Sequence, residues 1–353
     1  MNKFIFGIFL SAICMYTNPV FGDNEVFINQ SGDNLELTIL QKGTNNTIKS
    51  LGLNNDASLW GADKVVKLQQ IGSNNDIGIW TSGSSQLLRG HIDGDSNDLF
   101  LDAHGNSVQL QADIMGDYNY AWLEAGASNS HVSNQITLWQ AGDNHYAYLE
   151  ALNGSSNVID AYQGNGQSDG YIRAIIGSGG SSNNLKVWQG KHSDGSTDSD
   201  EVGDHEAYWT VNGDSNTLAS YQTDVNRAGG GGAGHHLANI ITGDSNLVEH
   251  IQKGKAGHDG FIEIDGNNNT VDLYQRGNGG VKWADIVLDG NGHTVDVLQK
   301  GSNAATATID LTYGTGAYTL DLSQVLTSSS ATYSITGTCY NAGGCSVSVN
   351  QNN

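Results

Sequence analysis

The stretch Asn269-Thr270-Val271-Asp272-Leu273-Tyr274-Gln275-Arg276-Gly277 decides the fold. At the two-residue period of a β-strand, Asn269, Val271, Leu273 and Gln275 share one face, and Thr270, Asp272 and Tyr274 share the other. An apolar pair is bracketed by two amides pointing the same way. Gly277 follows as the turn residue, because glycine takes positive φ at no steric cost.

The bracketing amides recur as Asn24 and Gln30, Asn134 and Gln140, Asn157 and Gln163, Asn183 and Gln189, Asn216 and Gln222, and Asn246 and Gln252. His293 and Gln299 keep the spacing with His in place of Asn. Weaker copies starting at Asn75, Asn97 and Asn119 keep the apolar pair and lose the Gln. Gln41-Lys42-Gly43-Thr44-Asn45-Asn46 and Gln70-Ile71-Gly72-Ser73-Asn74-Asn75 are full Q-x-G-x-x-N turns. Turn glycines are expected at Gly32, Gly43, Gly72, Gly142, Gly277 and Gly301. Second strands lie between the Gln-bearing ones and end in Gly-x-x-Asn turns such as Gly243-Asp244-Ser245-Asn246. Gln252, Gln275 and Gln299 stand 23 and 24 residues apart. A fixed period of this kind signals a repeat architecture.

One strand-turn-strand unit has too little apolar surface to fold alone. Stacking units at ~4.8 Å buries Val, Ile and Leu in columns. Each inward amide then lies over its copy in the next rung, where a carboxamide can bond both neighbours. Buried amides are costly unless paired, so a ladder satisfies them and also fixes register. The expected fold is an all-β solenoid with cross-β stacking over residues 23–311, about a dozen rungs or roughly 57 Å long. Its amide ladder comprises the pairs above together with Gln41, Asn46, Gln70 and Asn75. Outward aromatics Trp80, Trp139, Tyr162, Trp188, Tyr221 and Tyr274 are expected to form a stripe.

Residues 1–22 read as a signal peptide: Lys3, an apolar run from Phe4 to Met15, and a small residue, Gly22, before the expected cleavage point. No later stretch is apolar enough to span a membrane. The single proline, Pro19, lies in that segment, so the rest of the chain omits the residue other proteins use to block strand edges. The net charge of -22 repels phosphate backbones and excludes nucleic acid as a partner class. Cys339 and Cys345 are expected to form a disulfide in a secreted chain. Residues 312–353 read as a strand-rich cap, with Tyr333 and Val349 in a terminal hairpin stapled by the cysteines.

An amide-bearing strand followed by Q-x-G-x-x-N, with an aromatic before the Gln, resembles the curlin repeat of curli subunits. The resemblance covers most of residues 23–311. It implies a secreted functional amyloid of a Gram-negative bacterium, a homopolymer that leaves through an outer-membrane pore, is nucleated at the cell surface and forms biofilm fibres.

His235-His236 flanks a Gly-rich loop and reads as a solvated pair. The insert holding Asp194, Asp198, Asp200, Glu201 and Asp204 has no standard calcium spacing. No metal or other cofactor is expected. No carboxylate pair recurs with a base or nucleophile, so the chain is expected not to be an enzyme. The alternatives are a monomeric capped solenoid that acts as an adhesin or binds glycans, and an enzyme on a β-helix. Repeat regularity favours self-assembly over both.

Overall fold

A strand whose inward face is amide, apolar, apolar, amide buries that face only against a second strand and against copies of itself. The chain does both. In the computed structural model, 26 strands alternate between two sheets, numbered β1 (Asn29–Ser31) to β26 (Ser346–Asn352) in chain order. Even-numbered strands form one sheet of thirteen, called here the ladder sheet, and odd-numbered strands form the other. Neighbouring strands are parallel and in register, as in β10 (Ser133–Gln140) with β12 (Ser156–Gln163) and β11 (Tyr146–Ala151) with β13 (Gly170–Ile176). The described residues contain no helix, and none could cross a membrane as one. The structure describes residues 24–26, 28–48, 57–126, 133–152, 154, 156–164, 170–177, 182–190, 205–212, 215–223, 235–243, 245–253, 257–266, 268–276, 281–290, 292–301, 304–312, 318–326, 331–337 and 345–352.

The core is a set of columns running the length of the solenoid. Leu37, Val66, Leu88, Leu110, Ile136, Ile159, Leu185, Leu218, Val248, Val271, Val295, Leu320 and Val347 are successive register partners in one of them. A one-residue slip would place polar or charged residues such as Lys67, Arg89, Thr137, Asp160 and Asp272 in the core, so the alternation itself pins the register.

The register corrects four expectations. Asn24 and Gln30 do not begin the ladder: Gln30 pairs with Leu59 in the odd sheet, and the ladder sheet starts one strand later with β2 (Glu36–Leu40). The weaker copies from Asn75, Asn97 and Asn119 are odd strands, β5 (Ile77–Ser82), β7 (Leu99–His104) and β9 (Ala121–Ala125). They lack the Gln because the Gln column belongs to the other sheet. Trp80 for the same reason lies on the opposite face from Trp139.

The fourth concerns the C-terminal end. No hairpin forms there. β24 (Thr319–Leu326), β25 (Ala331–Gly337) and β26 each add in parallel to the strand two before it. Their inward residues Leu320, Leu322 and Ile335 match the existing columns, so stacking is favoured over pairing β25 with β26. Two longer units are expected to carry loop inserts, at 192–204 and 226–236; the first and residues 226–234 of the second lie outside the described residues, while His235 and His236 begin β17 (His235–Thr242). They leave the stacking intact, because His205 still pairs with Gly170 and His236 with Glu206.

Candidate functional site

The distinctive feature of this solenoid is its columns of buried amides, most of which both close a turn and bond an adjacent rung. Gln70 Nε2 donates to the Asp76 carbonyl at 2.7 Å, closing its own turn, and to Gln41 Oε1 at 2.9 Å on the rung below. The same design runs through Gln140, Gln163, Gln189, Gln222, Gln252, Gln275 and Gln299. Gln163 and Gln189 each donate to the preceding Gln, at 2.7 and 3.0 Å. Gln222, Gln252, Gln275 and Gln299 each donate to the following one, at 3.0, 2.8, 2.8 and 3.1 Å. The last of these acceptors is Gln324, and Gln351 continues the register above it. Each bond contributes about 1 kcal/mol net, and an amide left bare costs more. Between Gln70 and Gln140 the column is filled by Ile92 and Ile114, so two rungs have no Gln there.

The asparagines form two ladders, not one. Asn46, Asn75, Asn97 and Asn119 stand just past the Gln turn and bond in series at 2.8, 2.8 and 2.6 Å. Asn134, Asn157, Asn183, Asn216, Asn246 and Asn269 stand at the opposite turn, where each ladder strand begins. Asn269 Nδ2 donates to Asn246 Oδ1 at 2.6 Å and back to the Gly266 carbonyl at 3.0 Å. His293 continues this column, with Nδ1 2.7 Å from Asn269 Oδ1. In the early rungs Lys64 and Gln86 take the same position. Gln86 donates to the carbonyls of Gly83 and His104, and Lys64 Nζ to those of Gly61 and Ser82. No periodicity argument singled these two out, because neither repeats the Asn.

The glycines divide by turn. At the Gln turns the left-handed residue is the one after the expected glycine: Ser73 (φ 88°) follows Gly72 and Asp143 (φ 74°) follows Gly142. Ser and Asp tolerate this conformation. Gly43 (φ 70°) keeps the expected role, and Gly32 (φ 140°) and Gly301 (φ 126°) also have positive φ. Gly277 lies outside the described residues. The obligatory glycines are at the other turn. A Cβ on Gly83 would lie 1.7 Å from the Gly61 carbonyl oxygen, and one on Gly266 1.6 Å from that of Gly243.

The core also holds ionisable groups. His250 is fully buried in the column of Val187 and Ser220, with Nδ1 2.8 Å from Asn239 and Nε2 3.2 Å from Gln252. Gly260 makes room, since its Cβ would approach Nε2 to 2.9 Å. Burial pushes the His250 pKa down to about 3, and His236 and His258 push in the same direction. His235 is not a solvated loop residue: it is buried and stacks on His258 at 5.1 Å. Lys282 is fully buried with no hydrogen-bond partner for Nζ among the described residues, and desolvation lowers its pKa.

Outside, Trp139 and Tyr162 meet at 4.0 Å and Trp188 and Tyr221 at 4.7 Å, both pairs tilted by 31°, but the next partner of Tyr221 is Ile251. Tyr274 shares a shallow recess with Ile251 and Arg276. The odd sheet carries a longer stripe. Tyr120, Tyr146 and Tyr171 stack nearly parallel, at 5.3 Å and 11° and then 4.7 Å and 8°. Trp122 and Tyr148 stand beside them at 4.6 Å. The Tyr148 phenol donates to Glu150 at 2.9 Å, and burial with that carboxylate pushes its pKa up to about 12. Cys345 is disulfide-bonded; Cys339, its expected partner, lies outside the described residues.

Residues 266–301 match the curlin associated repeat. That segment spans the Gly266 turn, the stretch from Asn269 to Gln275, and the second strand leading to Gln299. No curated protein matches the chain. No solved structure matches it.

Proposed function

We propose that this chain, which carries a curlin repeat on a β-solenoid, assembles end to end into extracellular fibres of the curli type. One observation supports the reading above the rest. The last rung places Val347, Val349 and Gln351 in the interior columns, and the first ladder strand places Leu37, Ile39 and Gln41 in those same columns. Among the described residues nothing lies over the last rung, where Val347 is 47% and Val349 36% exposed. A second copy stacked on it would continue each column: Val347 beneath Leu37, Val349 beneath Ile39 and Gln351 beneath Gln41. The chemistry is non-covalent, made of parallel backbone pairing, two buried apolar pairs and one further amide bond.

The reading includes export to the cell surface, a nucleating partner there, and a role in biofilm matrix and adhesion. The stacked tyrosines weigh against a glycan-binding alternative. Their ring faces are occupied by one another, which leaves edges to the solvent, whereas a sugar ring packs on a free aromatic face.

The test is to purify the chain from residue 23 onward, remove denaturant, and follow amyloid-dye fluorescence with electron microscopy and fibre diffraction. Fibres with a ~4.8 Å meridional repeat, seeded by their own fragments, are expected. Val349→Lys should abolish elongation while leaving the β-sheet signal of the monomer intact. A stable dye-negative wild-type monomer would overturn the proposal.

A further inference from the structure

On the outer face of the odd sheet, Asp102 and His104 project from the same strand two residues apart, and Glu124 is the register partner of Asp102 on the next rung. The three therefore meet across two rungs. His104 Nε2 lies 2.8 Å from Asp102 Oδ1 and 3.9 Å from Glu124 Oε1, and one ligand atom from each residue falls within 4.8 Å of the others. We propose that Asp102, His104 and Glu124 hold one divalent transition-metal ion of the zinc class.

Three features support a site over a bare ion pair. The first is spacing. Ligand atoms ~2.0–2.2 Å from a common ion stand roughly 3.0–3.5 Å apart, and the observed 2.8 and 3.9 Å bracket that range, so small rotations of His104 and Glu124 suffice. The second is charge. Asp102 and Glu124 are register partners on adjacent rungs, which brings two carboxylates together, an arrangement two negative charges oppose and a divalent cation neutralises. Glu150, next in the column, already accepts from Tyr148, over whose ring Arg173 sits at 5.7 Å. The third is shape. Asp102 is 8% exposed, Trp80 flanks His104 at 5.7 Å, and the column position above His104 is Gly126, which puts no side chain in the way of the imidazole.

One nitrogen and two carboxylate oxygens suit zinc, and a set of three is too few for calcium, which takes six to eight oxygens. Water would complete the coordination. The ion would join β7 to β9 in the two rungs where Ile92 and Ile114 interrupt the Gln column. It would supply there a cross-rung link that the amide ladder does not. His91 with Asp113 and His236 with Asp259, each pair at 3.1 Å, have the same imidazole–carboxylate contact, but among the described residues no third ligand atom closes either pair into a group within 4.8 Å, so they serve as internal controls.

The experiment titrates the purified chain with Zn²⁺ against a chromophoric chelator, and with Co²⁺ followed by its visible absorption. One site per chain is expected, with a Co²⁺ band. His104→Ala and Glu124→Gln should each weaken it at least tenfold with unchanged circular dichroism. His91→Ala and His236→Ala should leave it unchanged. Equal binding by wild type, His104→Ala and Glu124→Gln, or no stoichiometric binding by wild type, would overturn the proposal.

Discussion

Gln189 and Gln222 are register partners on adjacent rungs, yet no hydrogen bond joins them. Gln189 donates to Gln163 below, Gln222 donates to Gln252 above, and the Oε1 of each is buried with no hydrogen-bond partner among the described residues. The ladder reverses its direction at this step. Gln252, by contrast, accepts from Gln222 and donates to Gln275. Gln252→Leu should therefore destabilise the fold by ~2–3 kcal/mol, and Gln222→Leu by about 1 kcal/mol less, because it also removes an oxygen that was already unpaired. Chemical denaturation of the two variants checks the order. Equal losses would mean that the reversal is not a weak step.

The glycine columns predict a contrast between turns. Gly83 has φ 143°, and its Cβ would meet the Gly61 carbonyl, whereas Gly72 has open space around it. Gly83→Ala should cost more than ~3 kcal/mol or prevent folding, and Gly72→Ala should change stability by less than ~1 kcal/mol. Thermal melts decide it.

His250 sets an acid limit. Its pKa falls from 6.5 to about 3 in the fold, so the unfolded chain binds the proton more readily. The stability it contributes is fully present above pH 6.5 and is lost as pH falls from there toward 3. The full span is worth on the order of 5 kcal/mol. His250→Gln should melt at a temperature that varies less between pH 7 and pH 4 than wild type does. Parallel curves would refute the assignment.

Asp272 has the opposite sign. It stacks between Glu249 and Asp296 in one outward column, and desolvation with those two charges raises its pKa. Repulsion is greatest when all are ionised, so the penalty appears as pH rises through the raised value. Asp272→Asn should raise the melting temperature at pH 7 and do less at pH 4. The same scans, run beside the His250 variant, separate the two effects.

Lys64 and Lys282 are both fully buried, but only Lys64 has backbone carbonyls for its Nζ. Burial depresses both pKa values, and Asp33 and Asp63 partly restore that of Lys64. Lys282→Met should stabilise the chain by about 1–3 kcal/mol, while Lys64→Met should be neutral or destabilising. Denaturant midpoints measure both.

Much of this fold was legible because it repeats. The strand from Asn269 to Gln275 states which side chains face inward, and its copies state that they stack. Gln140, Gln163 and Gln189 could be aligned by counting residues, and the structure places them in one column. Counting failed where two columns share a residue type. Asn46 and Asn134 look alike in the sequence, but one closes the turn after a ladder strand and the other opens the strand itself. Gln30 and Trp80 carried the right residue on the wrong sheet, because a period of two cannot tell the strands of a rung apart.

What the sequence determined by itself was the alternation of inward and outward residues, the amide spacing and the approximate rung length, all properties of neighbours along the chain. What only the tertiary structure decided was partnership across rungs. It showed which way each amide donates, which turn tolerates no Cβ, that β24, β25 and β26 stack in parallel, and that Asp102, His104 and Glu124 meet on one face. The physical reason is that a column joins residues more than twenty positions apart. The variable turns and inserts between them change that separation without changing the register.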